Sequence, residues 1–362
     1  RPVRRSGTRG PGASPGTGGS GATGGTGGAD PGVTVPTTAA ELCAALPSAR
    51  GTFMARCYGG EPEEWRPFFE TPCGAIGVSE AAGRITLNQD GVAACFTALA
   101  AEACSPAEVR EVSVACGDLV TGSVPTGEGC NALGFEDECE PAAACELELP
   151  CAGTCASRGV VGDTCHGMYV TLDCGAGLEC DAVSANCLVP GAEGDACLGW
   201  QGVCQPGLHC DALEHEEGTC RPDGTDGPCS ATEPCAEPYR CVEDDSGAGT
   251  CVRTKLVGEA CTFGLRECRG SCAPEGSCRV TAREGEACGT LASTTGDRSE
   301  TVTCGAGLFC DRSSAADAEG SCRAQVPIGA TCPETRVSGD PCHQGDALTY
   351  CDAETDACAI CE

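Results

Sequence analysis

The sequence predicts small disulfide-rich repeats, short β-hairpins and loops, in tandem, preceded by a small disulfide-bonded α-helical domain. Two observations carry that prediction: 36 of the 362 residues are cysteine, and Cys165, Cys197, Cys229 and Cys261 recur at an interval of 32 residues. A third is where the apolar rings lie. Six of the 13 aromatic residues, Phe53, Tyr58, Trp65, Phe68, Phe69 and Phe96, fall between residues 41 and 116. One segment can therefore build an apolar core, and the remainder must rely on covalent staples.

The energetics point the same way. Ordering a repeat costs roughly 1.5 kcal/mol per residue in conformational entropy, far more than one Leu and one aromatic ring return on burial. A disulfide closing about 15 residues removes roughly 3 kcal/mol of unfolded-chain freedom, so two per repeat are needed before local contacts can hold a shape. Such a thiol content requires an oxidising compartment. No stretch approaches the length and apolarity of a membrane span, and residue 1 is Arg with no apolar run behind it, so the export signal is expected upstream of this sequence. A single lysine, Lys255, among abundant Ala and Gly suggests a GC-rich bacterial genome.

Residues 1–36 read as a disordered Gly-rich tether. The tract at 10–32 holds no aromatic residue and one charge. Gly16, Gly18 and Gly21 match the spacing of a nucleotide-binding loop, but no strand precedes them and no helix follows. Residues 37–120 read as a helical cysteine-containing domain. Thr38 to Glu41 has the form of a capping box, ahead of Leu42, Leu46, Phe53 and Cys57 on one face, with Pro47 expected to kink or split the helix. Val92, Cys95, Phe96 and Leu99 mark a second helix. Ser105, Pro106 and Glu108 supply the cap, first-turn proline and capping-box acid of a third. Cys43, Cys57, Cys73, Cys95, Cys104 and Cys116 allow three bridges here, their connectivity open.

Residues 121–362 read as seven tandem cysteine-rich repeats, with Cys130, Cys288 and Cys332 opening the three outside the strict 32-residue spacing. The structural disulfide cysteines assigned in the five central repeats are Cys165, Cys174, Cys180 and Cys187; Cys197, Cys204, Cys210 and Cys220; Cys229, Cys235, Cys241 and Cys251; Cys261, Cys268, Cys272 and Cys278; and Cys288, Cys304, Cys310 and Cys322. The second and third cysteines usually enclose five residues, and the connectors between repeats hold nine residues in five cases and eight in the sixth. A constant connector implies a constant geometry between neighbours and predicts a semi-rigid rod. The variable intervals, reaching 15 residues between Cys288 and Cys304, predict surface loops that carry any recognition. Of three connectivities within a repeat, one to three with two to four is favoured, because the fixed interval then joins two interlocked loops. Cys151 and Cys361 fall outside the pattern, and their partners are open.

Two local motifs recur. Gly-Leu-x-Cys-Asp occurs at Gly177–Asp181, Gly207–Asp211 and Gly307–Asp311, relaxed at Leu348–Asp352. Glycine permits the turn, leucine covers the disulfide, and aspartate binds backbone amides of the next turn. A glycine also precedes each opening cysteine, at Gly127, Gly162, Gly194, Gly258, Gly285 and Gly329, displaced to Gly227 in one repeat, which predicts a turn with positive φ.

On these residues, C-x-x-G-L-x-C at Cys174–Cys180, Cys204–Cys210 and Cys304–Cys310 with glycine-led opening cysteines, the chain resembles multi-copy cysteine-rich secreted proteins of myxobacteria and related bacteria. Their repeats are similar to the N-terminal cysteine-rich domain of Dickkopf. The resemblance covers residues 127–361, and a helical cysteine domain behind a Gly-Thr-rich tether also looks like that group, often lipoproteins. It implies architecture; Wnt-pathway binding is not carried over. Cys268 to Cys272 and Cys342 to Cys351 depart from the motif.

Other chemistries find less support. Paired zinc ligands occur only at Cys358 and Cys361, and His166, His209 and His343, each beside a cysteine, lie in different repeats. With His215 they are the only histidines, no Gly-x-Ser-x-Gly occurs, and no catalytic residue or cofactor is assigned, so no enzyme is expected. The acidic groups Glu136-Asp137-Glu138, Glu214-Glu216-Glu217 and Glu243-Asp244-Asp245 lack the pattern of a calcium loop. Net charge is −31, and residues 117–362 carry 42 acidic against 13 basic residues, a surface that repels nucleic acid. The expected function is a non-enzymatic secreted or cell-surface structural spacer and binding module, its partner an unidentified protein or glycan at the cell surface. A secreted protease inhibitor and a metal-binding protein are the alternatives. Expected localisation is extracellular or at the cell surface, on an outer membrane through a lipid anchor upstream of residue 1, with the periplasm as a further option.

Overall fold

The computed structural model describes residues 35–69, 73–117, 119–131, 138–147, 152–165, 174–175, 177–181, 184–198, 203–212, 216–230, 233–243, 248–292, 299–305, 307–313, 317–327, 329–332, 342–343, 349–352 and 357–360. The tether assigned to residues 1–36 lies almost wholly outside them, as do Cys151 and Cys361.

The N-terminal part is helical: α1 (Ala39–Tyr58), α2 (Pro62–Trp65), α3 (Cys73–Ala81), α4 (Gln89–Ala100) and α5 (Pro106–Ala115). The short strands β1 (Ile85–Leu87) and β2 (Val120–Gly122) pair antiparallel and close it. Thr38 caps α1 by accepting from the Glu41 N–H, but the Glu41 carboxylate reaches back to Thr37, not to Thr38, so the box is displaced by one residue. Pro47 neither splits nor ends α1, which runs unbroken through it. Proline removes one helical donor, and the buried neighbours Leu42, Leu46 and Phe53 keep the two halves packed in one core. Ser105 and Glu108 form the full capping box of α5, with Pro106 in its first turn. Cys57 joins Cys104, Cys95 joins Cys116, and Cys43 is also disulfide-bonded.

The repeats share one plan. The strands carrying the third and fourth cysteines form an antiparallel hairpin in which those cysteines stand opposite each other, as Cys145 with Cys155 and Cys210 with Cys220. The strand of the first cysteine pairs with the other edge of the fourth, placing the fourth at the centre in residues 129–157, 196–222 and 228–253. Opposite cysteines do not bond each other. In six repeats the first bonds the third and the second bonds the fourth, as Cys197–Cys210 with Cys204–Cys220. Sulfur supplies most of the first repeat's core: Val124 and Ala143 are the only other buried members, among the described residues, of the cluster around Cys130, Cys139, Cys145 and Cys155.

The constant connector has a physical cause. It forms a parallel bridge with the second cysteine of its own repeat: Val124 with Cys139, Gly159 with Cys174, Gly191 with Cys204, Gly224 with Cys235, Lys255 with Cys268, and Ala282 with Cys304. The glycine that follows has positive φ in all seven repeats, from 77° at Gly329 to 90° at Gly162. In six of them its N–H donates to the carbonyl of the fourth cysteine, as Gly194 to Cys220 at 2.9 Å. The next residue is usually acidic and closes the turn from its side chain: Asp163, Asp195, Glu259 and Glu286 accept the N–H three residues earlier. In the repeat with the shorter connector, Gly227 itself takes the acidic residue's place and accepts from Cys251.

The expected rod, with the helical domain as a separate cap, is not what forms. The array folds back on the helices. From the first repeat, Glu138 is fully buried against the helical domain, accepting from Ser79 and pairing with Arg84 at 2.6 Å. From the third, the Pro206 carbonyl accepts from Arg110. From the fifth, the Val257 N–H donates to the Tyr58 carbonyl at 2.8 Å, and Val280 is buried in the helical core itself. The physical reason lies in apolar supply: the helical domain presents more aromatic surface than its own helices cover, and the repeats have little else to bury against.

Candidate functional site

Where the array meets the helices, the short α2 segment and the 3₁₀ turn after it, Arg66–Phe68, project a row of rings. Tyr58, Trp65 and Phe68 follow one another with centroids 6.1 Å apart at each step. Pro62 starts α2, and Glu61 and Glu64 cap it reciprocally, so a segment of one turn is held rigidly. The Trp65 indole N–H donates to the Gly59 carbonyl, which fixes the ring while Phe68 stays 46% exposed.

Facing the rings are three arginines, Arg240 on the strand Tyr239–Glu243 and Arg266 and Arg269 in the loops between Cys261 and Cys272. Two adjoining cavities of about 540 and 360 Å³ share all three. The larger is lined by Trp65, Phe68, Phe69, Thr301 and Thr303; Tyr58 lines the smaller. Glu300 borders the larger cavity but is used structurally, since its carboxylate accepts the backbone N–H groups of Gly264 and Cys272. That carboxylate sits within the longest variable interval, Cys288 to Cys304, so this loop anchors the fifth repeat as well as lining the site.

Only one of the three arginines makes an ion pair among the described residues. Arg269 pairs with Glu237 at 2.5 Å and stacks over Tyr58. The side chains of Arg240 and Arg266 have no hydrogen bond or ion pair among the described residues. Burial lowers the Arg240 pKa from its ordinary value, and the like charge of Arg269 adds to the effect, partly offset by Glu237. Arg266 holds φ at 53°, a left-handed conformation that costs a non-glycine residue about 1–2 kcal/mol. Burial, followed by the charge of Glu237, pushes the Tyr58 hydroxyl up to about 12.

The residues singled out from sequence lie elsewhere. Cys197, Cys204 and Cys220 bring sulfurs within 4.8 Å of one another, as do matching sets in other repeats, but each of these sulfurs is consumed in a disulfide. Among the described residues there is no free cysteine to act as a thiolate ligand, and metal binding is not favoured. His209 faces Asp223 at 3.0 Å, while His166, His215 and the side chain of His343 lie outside the described residues. The motif aspartates act locally: Asp181 accepts from the Ser184 N–H, Asp211 from Thr219, and Asp311 pairs with Arg323. Glu138 serves the domain junction, and the rest of its acidic group lies outside the described residues. The arginine and ring cluster escaped sequence reading. Its signals were a local concentration of arginine in a strongly acidic array and the ring-rich stretch at residues 65–69.

No protein-family model, curated protein or solved structure matches the chain. The disulfide-bonded repeat array is that of a protein from an oxidising compartment, and no described helix is long and apolar enough to cross a membrane.

Proposed function

We propose that the chain is a non-enzymatic, secreted or cell-surface spacer and binding module whose recognition site is the junction between the helical domain and the folded-back array. The observation that carries this reading is the pair of cavities sharing Arg240, Arg266 and Arg269. Two guanidinium groups without a hydrogen bond or ion pair among the described residues, beside fixed rings, form a site organised for a ligand. The cysteine pattern supports kinship in architecture with the secreted repeat proteins of myxobacteria, and with it a lipid anchor upstream of residue 1.

The test is retention on isolated bacterial cell envelopes. The native chain is expected to be retained and Arg240→Gln to be released; equal retention of the two contradicts the reading. Stoichiometric inhibition within a panel of secreted proteases, unaffected by Arg240→Gln, would replace it with the inhibitor alternative.

A further inference from the structure

The ligand class follows from what the two cavities offer together. The Arg240 and Arg266 guanidinium groups line both cavities and make no hydrogen bond or ion pair among the described residues, so the ligand carries an anionic group. Phe68, which is exposed, and Phe69, which is half-buried, offer flat apolar faces to the larger cavity, so the ligand also carries a flat, weakly polar face. Thr301 and Thr303 are exposed threonines in the lining of the same cavity, with hydroxyls suited to exchanging hydrogen bonds with ligand hydroxyls. Inorganic phosphate or sulfate would satisfy only the first of these. At about 540 Å³ the larger cavity falls within the usual ligand range of ~300–1,000 Å³. The smaller one continues it past the same arginines, so an elongated ligand fits better than a single ring.

The global charge narrows the class further. An array with 42 acidic and 13 basic residues repels polymers of high charge density. A chain of sugar rings, each with one carboxylate, spaces its charge widely enough to be held by a local arginine cluster. Its pyranose C–H faces can lie on the rings while its hydroxyls meet the threonines.

Resting on the binding-module reading, we infer that the paired cavities hold an acidic oligosaccharide, with uronate carboxylates on Arg240 and Arg266 and a sugar face on Phe68 and Phe69. Arg266 is the informative position. Its positive φ of 53° favours glycine, so a residue that served folding alone would gain from replacement. A strained arginine at the mouth of a cavity is what a ligand contact predicts.

The test is calorimetric titration of the whole chain with tri-galacturonate, with maltotriose, inorganic phosphate and a Glu-Tyr-Glu tripeptide as parallel probes. Tri-galacturonate is expected to bind one per chain, and maltotriose about tenfold more weakly or not at all. Arg240→Gln and Phe68→Ala are expected to weaken tri-galacturonate by about tenfold. Arg266→Gly is expected to weaken it by about fivefold while leaving Tm unchanged or higher, which separates lost contact from lost folding. Equal binding of maltotriose, preference for phosphate or the tripeptide, or unchanged affinity in Arg240→Gln and Arg266→Gly each overturns the inference. Envelope retention that depends on Arg240 while tri-galacturonate fails to bind removes the saccharide and spares the binding module. Loss of both results removes both.

Discussion

The guanidinium of Arg269 lies 5.5 Å above the ring of Tyr58, a contact between the fifth repeat and the last residue of α1. The same arginine pairs with Glu237, whose other oxygen lies 3.4 Å from the Tyr58 hydroxyl. Three elements far apart in sequence thus close on one phenol ring.

Because the Tyr58 hydroxyl is pushed up to about 12, mainly by burial, the folded state keeps its proton where the unfolded chain, near pH 10, releases it. The stability tied to this group is complete below the ordinary tyrosine value and is lost as pH rises through about 12. A short alkaline exposure is expected to lower Tm of the native chain between pH 10 and 12, with a smaller decline in Tyr58→Phe. Equal declines in both would show that the junction does not bury this hydroxyl.

Glu138 anchors the first repeat. Burial alone would raise its pKa, but hydrogen bonds from Arg84, Ser79 and the Asn131 N–H outweigh burial and hold it below the ordinary glutamate value. A depressed carboxylate contributes stability above the unfolded-state pKa and loses it as pH falls through the folded value. Glu138→Ala, which removes the carboxylate that Arg84 and Ser79 donate to and leaves Arg84 only the Gly129 carbonyl, is expected to destabilise by about 2–3 kcal/mol at pH 7. The gap from the native chain is expected to close on acidification, and calorimetry at several pH values checks this.

Two glycines separate conformational from steric demands. A Cβ at Gly194 meets nothing within 4 Å, so Gly194→Ala is penalised only by its φ of 89°, about 1–2 kcal/mol. A Cβ at Gly249 meets the Cys229 carbonyl and the Cys241 sulfur at 2.5 Å, and there the backbone conformation is not the obstacle. Gly249→Ala is expected to disrupt its repeat and slow formation of Cys229–Cys241, read by mass mapping during oxidative refolding. Gly194→Ala is expected to form all its bridges and melt slightly earlier.

The disulfide register is open to direct mapping. Non-reducing digestion is expected to recover Cys197 linked to Cys210 and Cys204 linked to Cys220, and reductant to unfold the repeats. Peptides linking Cys210 to Cys220 would show that the hairpin bonds straight across and would contradict the shared plan.

Much of the repeat plan was legible because cysteine spacing and glycine position report covalent and backbone constraints that act within some tens of residues. Gly162 and Gly194 could be read as positive-φ turns without any tertiary context. The caps of α1 and α5 were legible for the same reason, with Glu41 displaced by one residue because its reach was assigned from spacing alone. Short α2 was missed, since a single turn carries no period, and α3 was missed because the burial of Ile76 and Ser79 comes from packing against other segments. The binding site was least legible. Trp65 and Phe68 lie far from Arg240 and Arg266 in sequence and meet only because the array turns back. A constant connector suggested a rod because it fixes each neighbour relative to the last; it does not reveal the path that six such steps trace.

That path has a clean probe in Lys255, the single lysine of the chain, whose neighbours Leu256 and Val257 touch Gly59 beside α1. Its side chain is 35% exposed with the amine beside Glu267, and the amine can be labelled with an amine-reactive diazirine, irradiated, and the products mapped by mass spectrometry. Cross-links from Lys255 into the segment from Tyr58 to Glu64 are the predicted result. Cross-links confined to the fourth and fifth repeats would contradict the folded-back array and the junction site built on it.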